Sequence, residues 1–237
     1  MRREYPRVPG PGRAILITLL VLVVVGVGAD FGARAIAESR LASSVQASLD
    51  LPQRPDIELE GFPFLLQAAR GRLDGVSVEL RDVEAGGVPL ESVTLSFEDL
   101  VFDGVELVGG TGTVASRGGT AQVVMTEDAL SRFLQDQGTP VLVRFRGPTI
   151  TVSTRINAGS QTTTATAEGP VRIESGRLVF SPDDVEIEGS VGVPAAALAF
   201  DVALPALVPG LTYETVLVHD GVATVEASLA GAELDVG

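Results

Sequence analysis

Among the residues whose chemistry could drive a reaction in this chain are two pairs of adjacent carboxylates and the single histidine. Glu127-Asp128 and Asp183-Asp184 could supply the acid and base of glycan hydrolysis, and His219 could serve a nucleophile. Each has a plainer explanation. Glu127 and Asp128 follow Thr126 at the start of a helical pattern, where negative charge opposes the positive end of the helix dipole. Asp183-Asp184 come after Ser181-Pro182, ordinary turn chemistry without the spacing of a calcium loop. His219 stands where a strand runs into an Asp220-Gly221 turn, and no Gly-x-Ser-x-Gly elbow accompanies it. Cysteine is absent, which excludes disulfides, thiol nucleophiles, thiolate metal sites and an acylated cysteine. The run Gly109-Gly110-Thr111-Gly112 lacks the Lys-Ser/Thr of a phosphate loop and the third Gly of a dinucleotide fingerprint, so it reads as turns and bulges. These residue types call for no catalytic group, no metal and no cofactor.

A different chemistry is offered by Phe62-Pro63-Phe64-Leu65-Leu66. Only nine phenylalanines and no tryptophan occur in 237 residues, yet two of the nine fall here, between two strand patterns, where a loop normally carries polar side chains. Pro63 fixes its own φ and pushes Phe62 toward extended geometry, so the segment is short and stiff. Two readings stand: a buried corner that plugs one end of the core, or an apolar lip that touches lipid. In the second, Arg70 and Arg72 are the nearest cations for a phosphate, since a guanidinium matches phosphate geometry with paired donors.

Charge restricts the partners. Beyond residue 29 there are 13 arginines against 30 acids, a net of −17, and the chain has no lysine. Such a body repels nucleic acid, and it repels anionic headgroups over most of its surface. Membrane contact must then be local and apolar. Nothing in the sequence names a protein partner.

The elements that must position these residues follow from periodicity. Residues 1–13 form an arginine-bearing tail (Arg2, Arg3, Arg7, Arg13), and residues 14–29 carry 16 uncharged, mostly apolar positions. That length lies between a signal-peptide core and a full bilayer span, so a membrane anchor and a cleaved signal both stand. In either case the arginines stay on the cytoplasmic side and residues 30–237 are exported as one domain. Residues 30–49 read as an amphipathic helix, with Phe31, Ala35, Ile36, Leu41, Ala42, Val45 and Leu49 as a stripe that needs the following sheet as its partner. From Ile57 onward the period is two, with strands such as Val76-x-Val78-x-Leu80 and Val93-x-Leu95-x-Phe97 broken by Gly-rich turns. Thr126 caps a second helix ending at Gly138, with Leu130, Phe133 and Leu134 on its apolar face. Pro194 to Leu204 is ambiguous between helix and strand, and a hairpin around His219-Asp220-Gly221 closes the chain. More than ten short strands and two amphipathic helices make an α+β fold with helices on one face of a long antiparallel sheet.

In its order of features the chain resembles the LmeA-like phospholipid-binding proteins of actinobacterial envelopes. The resemblance is carried by the export segment, by Gly61-Phe62-Pro63-Phe64-Leu65 followed by Gly71 and a Val-x-Val strand, and by the Thr126 to Leu134 helix. It continues in Leu204-Pro205, Pro209-Gly210, Val216 and Asp220-Gly221. It implies a curled antiparallel sheet wrapped around helices, similar to tubular lipid-carrying folds, that admits the tails of membrane phospholipid and has no catalytic residues. The site residues expected on this basis are Phe62, Phe64, Leu65, Leu66, Arg70, Arg72, Leu130 and Phe133. A scaffold or adaptor of the envelope, and a carboxylate-dependent envelope enzyme, are the alternatives.

Overall fold

The computed structural model describes residues 11–103, 112–158, 161–182, 185–187, 195–219, 221–231 and 233–236. The arginines at 2, 3 and 7, Gly104, Gly109-Gly110-Thr111, Asp183-Asp184, Pro194 and Asp220 lie outside the described residues. Helix α1 (Pro11–Ser48) is followed by β1 (Asp56–Glu60), the short helix α2 (Phe64–Ala69), and the long hairpin of β2 (Arg72–Ala85) and β3 (Val88–Phe102). Next come β4 (Gly112–Ala115), β5 (Gly118–Thr126), helix α3 (Glu127–Asp136), β6 (Leu142–Arg146), β7 (Thr149–Ala158) and β8 (Gln161–Gly169). The remainder is β9 (Val171–Glu174), β10 (Arg177–Phe180), β11 (Glu186–Ile187), a 3-10 turn at Ala195–Ala197, β12 (Phe200–Ala203), β13 (Leu211–His219), β14 (Val222–Ala230) and β15 (Glu233–Val236).

Every described strand pair is antiparallel, as the alternating pattern requires. The main sheet runs β1-β2-β3-β5-β14-β13, with β4 and β15 branching from β3. Two smaller sheets, β11-β8-β7-β6 and β12-β10-β9, stand against it. The α+β expectation of a long antiparallel sheet with a few helices is met; β1 and β13 end the main sheet without pairing to each other, so it is open rather than closed. Gly86 and Gly87, both at positive φ, make the two-residue turn that joins Ala85 to Val88 and sets the register of the longest hairpin.

Helix α3 is capped as its sequence predicts. The Thr126 hydroxyl accepts the Ala129 N–H at 3.2 Å, and Gly138 at φ +83° ends the last turn. Its Leu130 and Leu134 enter a core built from all three sheets, in which Val93, Val123, Val143, Ile150, Leu178 and Phe180 are fully buried.

Two local expectations change. The export segment and the following helix are one continuous α1, and much of the stripe expected to meet the sheet stays outside: Phe31, Ile36, Leu41 and Leu49 are exposed. The side that faces the body carries Asp30, Arg34, Glu38 and Ala42 instead, because α1 lies along the free margin of β1 and polar groups there take up edge donors. The Glu38 carboxylate accepts the Leu59 N–H at 2.9 Å while pairing with Arg34 at 2.8 Å. The ambiguous stretch before Leu204 resolves into the 3-10 turn and β12.

Candidate functional site

The Phe-Pro-Phe-Leu-Leu segment lies between the strands β1 and β2, as its sequence suggests, and starts a short helix there. Gly61 turns the chain at φ +89°, where a Cβ would meet the Asp74 carboxylate and the Gln67 amide at 2.2 Å, and α2 begins after Pro63. Pro63 offers no side-chain cap, which leaves the first N–H groups of α2 without a local acceptor. Asp30 supplies one from α1. Its two carboxylate oxygens accept the N–H groups of Phe64 at 2.9 Å and Leu65 at 2.7 Å, and it is only 3% exposed. An acidic group at a helix N-terminus is favourable for charge as well as for hydrogen bonding. The consequence is that α2 is pinned against α1.

This pinning separates the two aromatics. Phe64 turns into the body at 9% exposure, while Phe62 is 58% exposed and stacks against Phe31 at a centroid distance of 6.1 Å. Leu65 and Leu66 also remain exposed. Together with Pro63 and Ala69 they face Val23, Gly26 and Val27 of α1 across an open groove of 510 Å³. The buried-corner reading thus fits Phe64, while Phe62 is left on the surface.

Directly after α2, the chain enters β2 and the inner face of the main sheet. Register places Leu59, Val76, Phe97, Leu229 and Leu211 in one row across β1, β2, β3, β14 and β13, with Gly119 of β5 between Phe97 and Leu229. Phe97, Leu100 and Leu229 are buried there, but Leu73, Val76, Leu95, Val114, Val208 and Leu211 packed against them are only half-buried. The result is an apolar floor that is incompletely covered at the α2 end of the sheet.

Arg70 and Arg72 lie at the same end, exposed and outside every ion pair among the described residues. Leu130 and Phe133 do not join them. Leu130 is fully buried, and the Phe133 ring lies by the Gly86-Gly87 turn, where a Cβ on Gly87 would come within 3.6 Å of it. That turn is the opposite end of the β2–β3 hairpin, roughly 40 Å of strand away.

Of the candidate catalytic groups, the first carboxylate pair is engaged by its neighbours. Glu127 accepts the Phe145 N–H at 2.8 Å, and Arg144 bridges it to Asp128, an arrangement that raises the Arg144 pKa above its ordinary value. His219 is exposed at the end of β13. Among the described residues no three His, Asp or Glu side chains stand close enough to hold a metal ion. Asp30 was not legible as a site residue: in sequence it is a lone charge interrupting an apolar run.

Among the described residues one helix, near the N-terminus, is long and apolar enough to cross a membrane, and its residues 19–29 are all exposed. Comparison with curated proteins and with solved structures gave no match. The family model described as LmeA-like phospholipid-binding matches residues 28–228, which takes in the Asp30 clamp, α2, the half-covered floor and nearly all of β14. The chain belongs to the LmeA-like phospholipid-binding family.

Proposed function

We propose that this protein is a non-catalytic phospholipid binder, held by α1 in the cytoplasmic membrane with residues 30–237 on the outer side, and that acyl chains lie on the inner face of the main sheet after passing α2. What supports lipid over a rigid adaptor is the incompletely covered floor of Val76, Leu95 and Leu211, apolar surface that a protein without cargo gains by closing. Phe62, Leu65 and Leu66 form the lip of the entrance, and Arg70 and Arg72, outside the ion pairs among the described residues, meet the phosphate beside it. Phe64 acts from behind, packing the lip to the body. An uncleaved anchor is favoured because Val23, Gly26 and Val27 make one wall of the groove. Lipid transfer and a part in lipoglycan maturation both fit a binder of this kind.

The test is native mass spectrometry of the full chain extracted in mild detergent. A copurified phospholipid mass, reduced in Leu95→Gln, is the expected result. Clean apo-protein that takes up no lipid from vesicles would overturn the proposal in favour of an adaptor.

A further inference from the structure

The position of α2 along α1 has a consequence for depth. Between Arg13 and Arg34 the chain has a single charge, Asp30, and that charge is buried and bonded to two backbone N–H groups. The stretch without an exposed charge is therefore not 14–29 but 14–33, 20 residues, which as a helix span about 30 Å and match the hydrocarbon core of a bilayer. If α1 spans with these residues, Val23 lies about 15 Å below Ala33, the depth of one leaflet. The groove wall Val23, Gly26 and Val27, and the α2 residues facing it, fall within that depth.

We propose that α2 is an intramembrane foot: Phe62, Leu65 and Leu66 lie in the hydrocarbon of the outer leaflet, and the groove they form with α1 is filled by an acyl chain of that leaflet. The inference rests on the anchored reading above. The chemistry of the groove agrees with it. Its lining carries no exposed charge, its volume of 510 Å³ is that of a small-ligand site, and one of its walls is the helix that crosses the bilayer. A short helix in lipid must satisfy its first N–H groups without water, and Asp30 does so for Phe64 and Leu65. The Gln67 side chain turns away from the groove and accepts the Asp74 N–H at 2.8 Å. Arg70 and Arg72, at the far end of α2, are then placed to reach headgroup phosphates from the edge of the hydrocarbon.

The chain has no tryptophan, so a single introduced one reports its own surroundings. Leu65→Trp and, as a second reporter, Leu66→Trp are reconstituted as full chains in phosphatidylethanolamine/phosphatidylglycerol vesicles containing lipids brominated at defined acyl positions. Leu217→Trp, exposed on the outer face of β13 toward the far end of the sheet, is the reference. The foot predicts blue-shifted emission at 65 and 66, quenched most by bromines along the chain, with little quenching at 217. Emission at 65 and 66 quenched no more than at 217 overturns it, and a dimer mass in native spectra would then name a second copy as the occupant of the groove. Phospholipid occupancy measured on the unsubstituted chain and on Leu217→Trp separates the two proposals. A retained lipid mass without quenching sinks the foot alone, whereas quenching without a lipid mass leaves the foot and sinks the cargo.

Discussion

The two ends of the β2–β3 hairpin are built from the same residue types and finish differently. Toward the Gly86-Gly87 turn, Val88, Leu90 and Val93 are at most 3% exposed, because α3 and the two smaller sheets lie over them. Toward Arg72, Leu73 and Val76 remain half-buried beneath nothing comparable, with α1 at one margin and the 204–211 segment at the other. Alternation along a strand decides which side chains share a face, and the elements laid over that face decide whether they leave water. The covered end holds the domain together. The uncovered end is where apolar surface is left over, and the proposed lipid site lies there.

The comparison breaks most visibly in the cores. Phe180→Ala, at a fully buried position stacked on Phe200, is expected to cost about 3–5 kcal/mol of stability, read as a large fall in melting temperature. Phe62→Ala/Leu66→Ala, on exposed side chains, should stay within about 0.5 kcal/mol in detergent while phospholipid occupancy falls. A comparable loss of stability in both would mean that the α2 end is core after all. This pair is a cleaner probe than Phe62 with Phe64, since only Phe62 is exposed.

A smaller effect sharpens the boundary between the ends. Asp30→Ala removes the acceptor for two N–H groups and should cost about 1–2 kcal/mol, on the scale of a lost helix cap. The loss is local, so hydrogen exchange should speed up at the Phe64 and Leu65 amides and stay slow in β5 and β14. Acceleration spread over the main sheet would show that Asp30 supports the whole fold rather than the α2 clamp.

A further effect is confined to alkaline pH. The Tyr213 hydroxyl donates to the Pro205 carbonyl at 2.6 Å, beside the 204–211 segment that borders the floor, and burial pushes its pKa up to about 12. Because the unfolded chain releases this proton near pH 10 and the folded one near 12, stability should be flat below pH 10 and fall as pH rises toward 12. Tyr213→Phe should flatten that fall. An unchanged slope would show that other groups set the alkaline limit.

Much of this architecture is legible in sequence where the determinant is local. Val76-x-Val78-x-Leu80 and Val93-x-Leu95-x-Phe97 announce their strands, Gly86-Gly87 announces the turn, and Thr126 with Glu127 and Asp128 announces α3. What escapes is determined across distance. Helix α2 has no cap of its own, and its acceptor is 34 residues upstream, so no local pattern signals its start. The split between Phe62 and Phe64 depends on the same long-range bond. Leu130 and Phe133 share an apolar character with Leu65 and Leu66, but sequence holds no measure of the strand length that separates them. The mixed face of α1 was misjudged because a stripe of apolar residues is ordinarily the buried side, and here the edge donors of β1 select the polar one.

Helix α1 runs without a break for 38 residues, about 57 Å, from the apolar stretch to its seat along β1. A strut of this kind has no swivel. With Asp30 bolting α2 to it and β1 lying along it, the body has no glycine- or proline-rich linker on which to lean or rise, and in a membrane-anchored molecule it stays at the surface of the bilayer. A lipid taken up by a body so held could be handed on only to something that comes within reach, so traffic over a longer distance would depend on the receiver's mobility and not on this protein's.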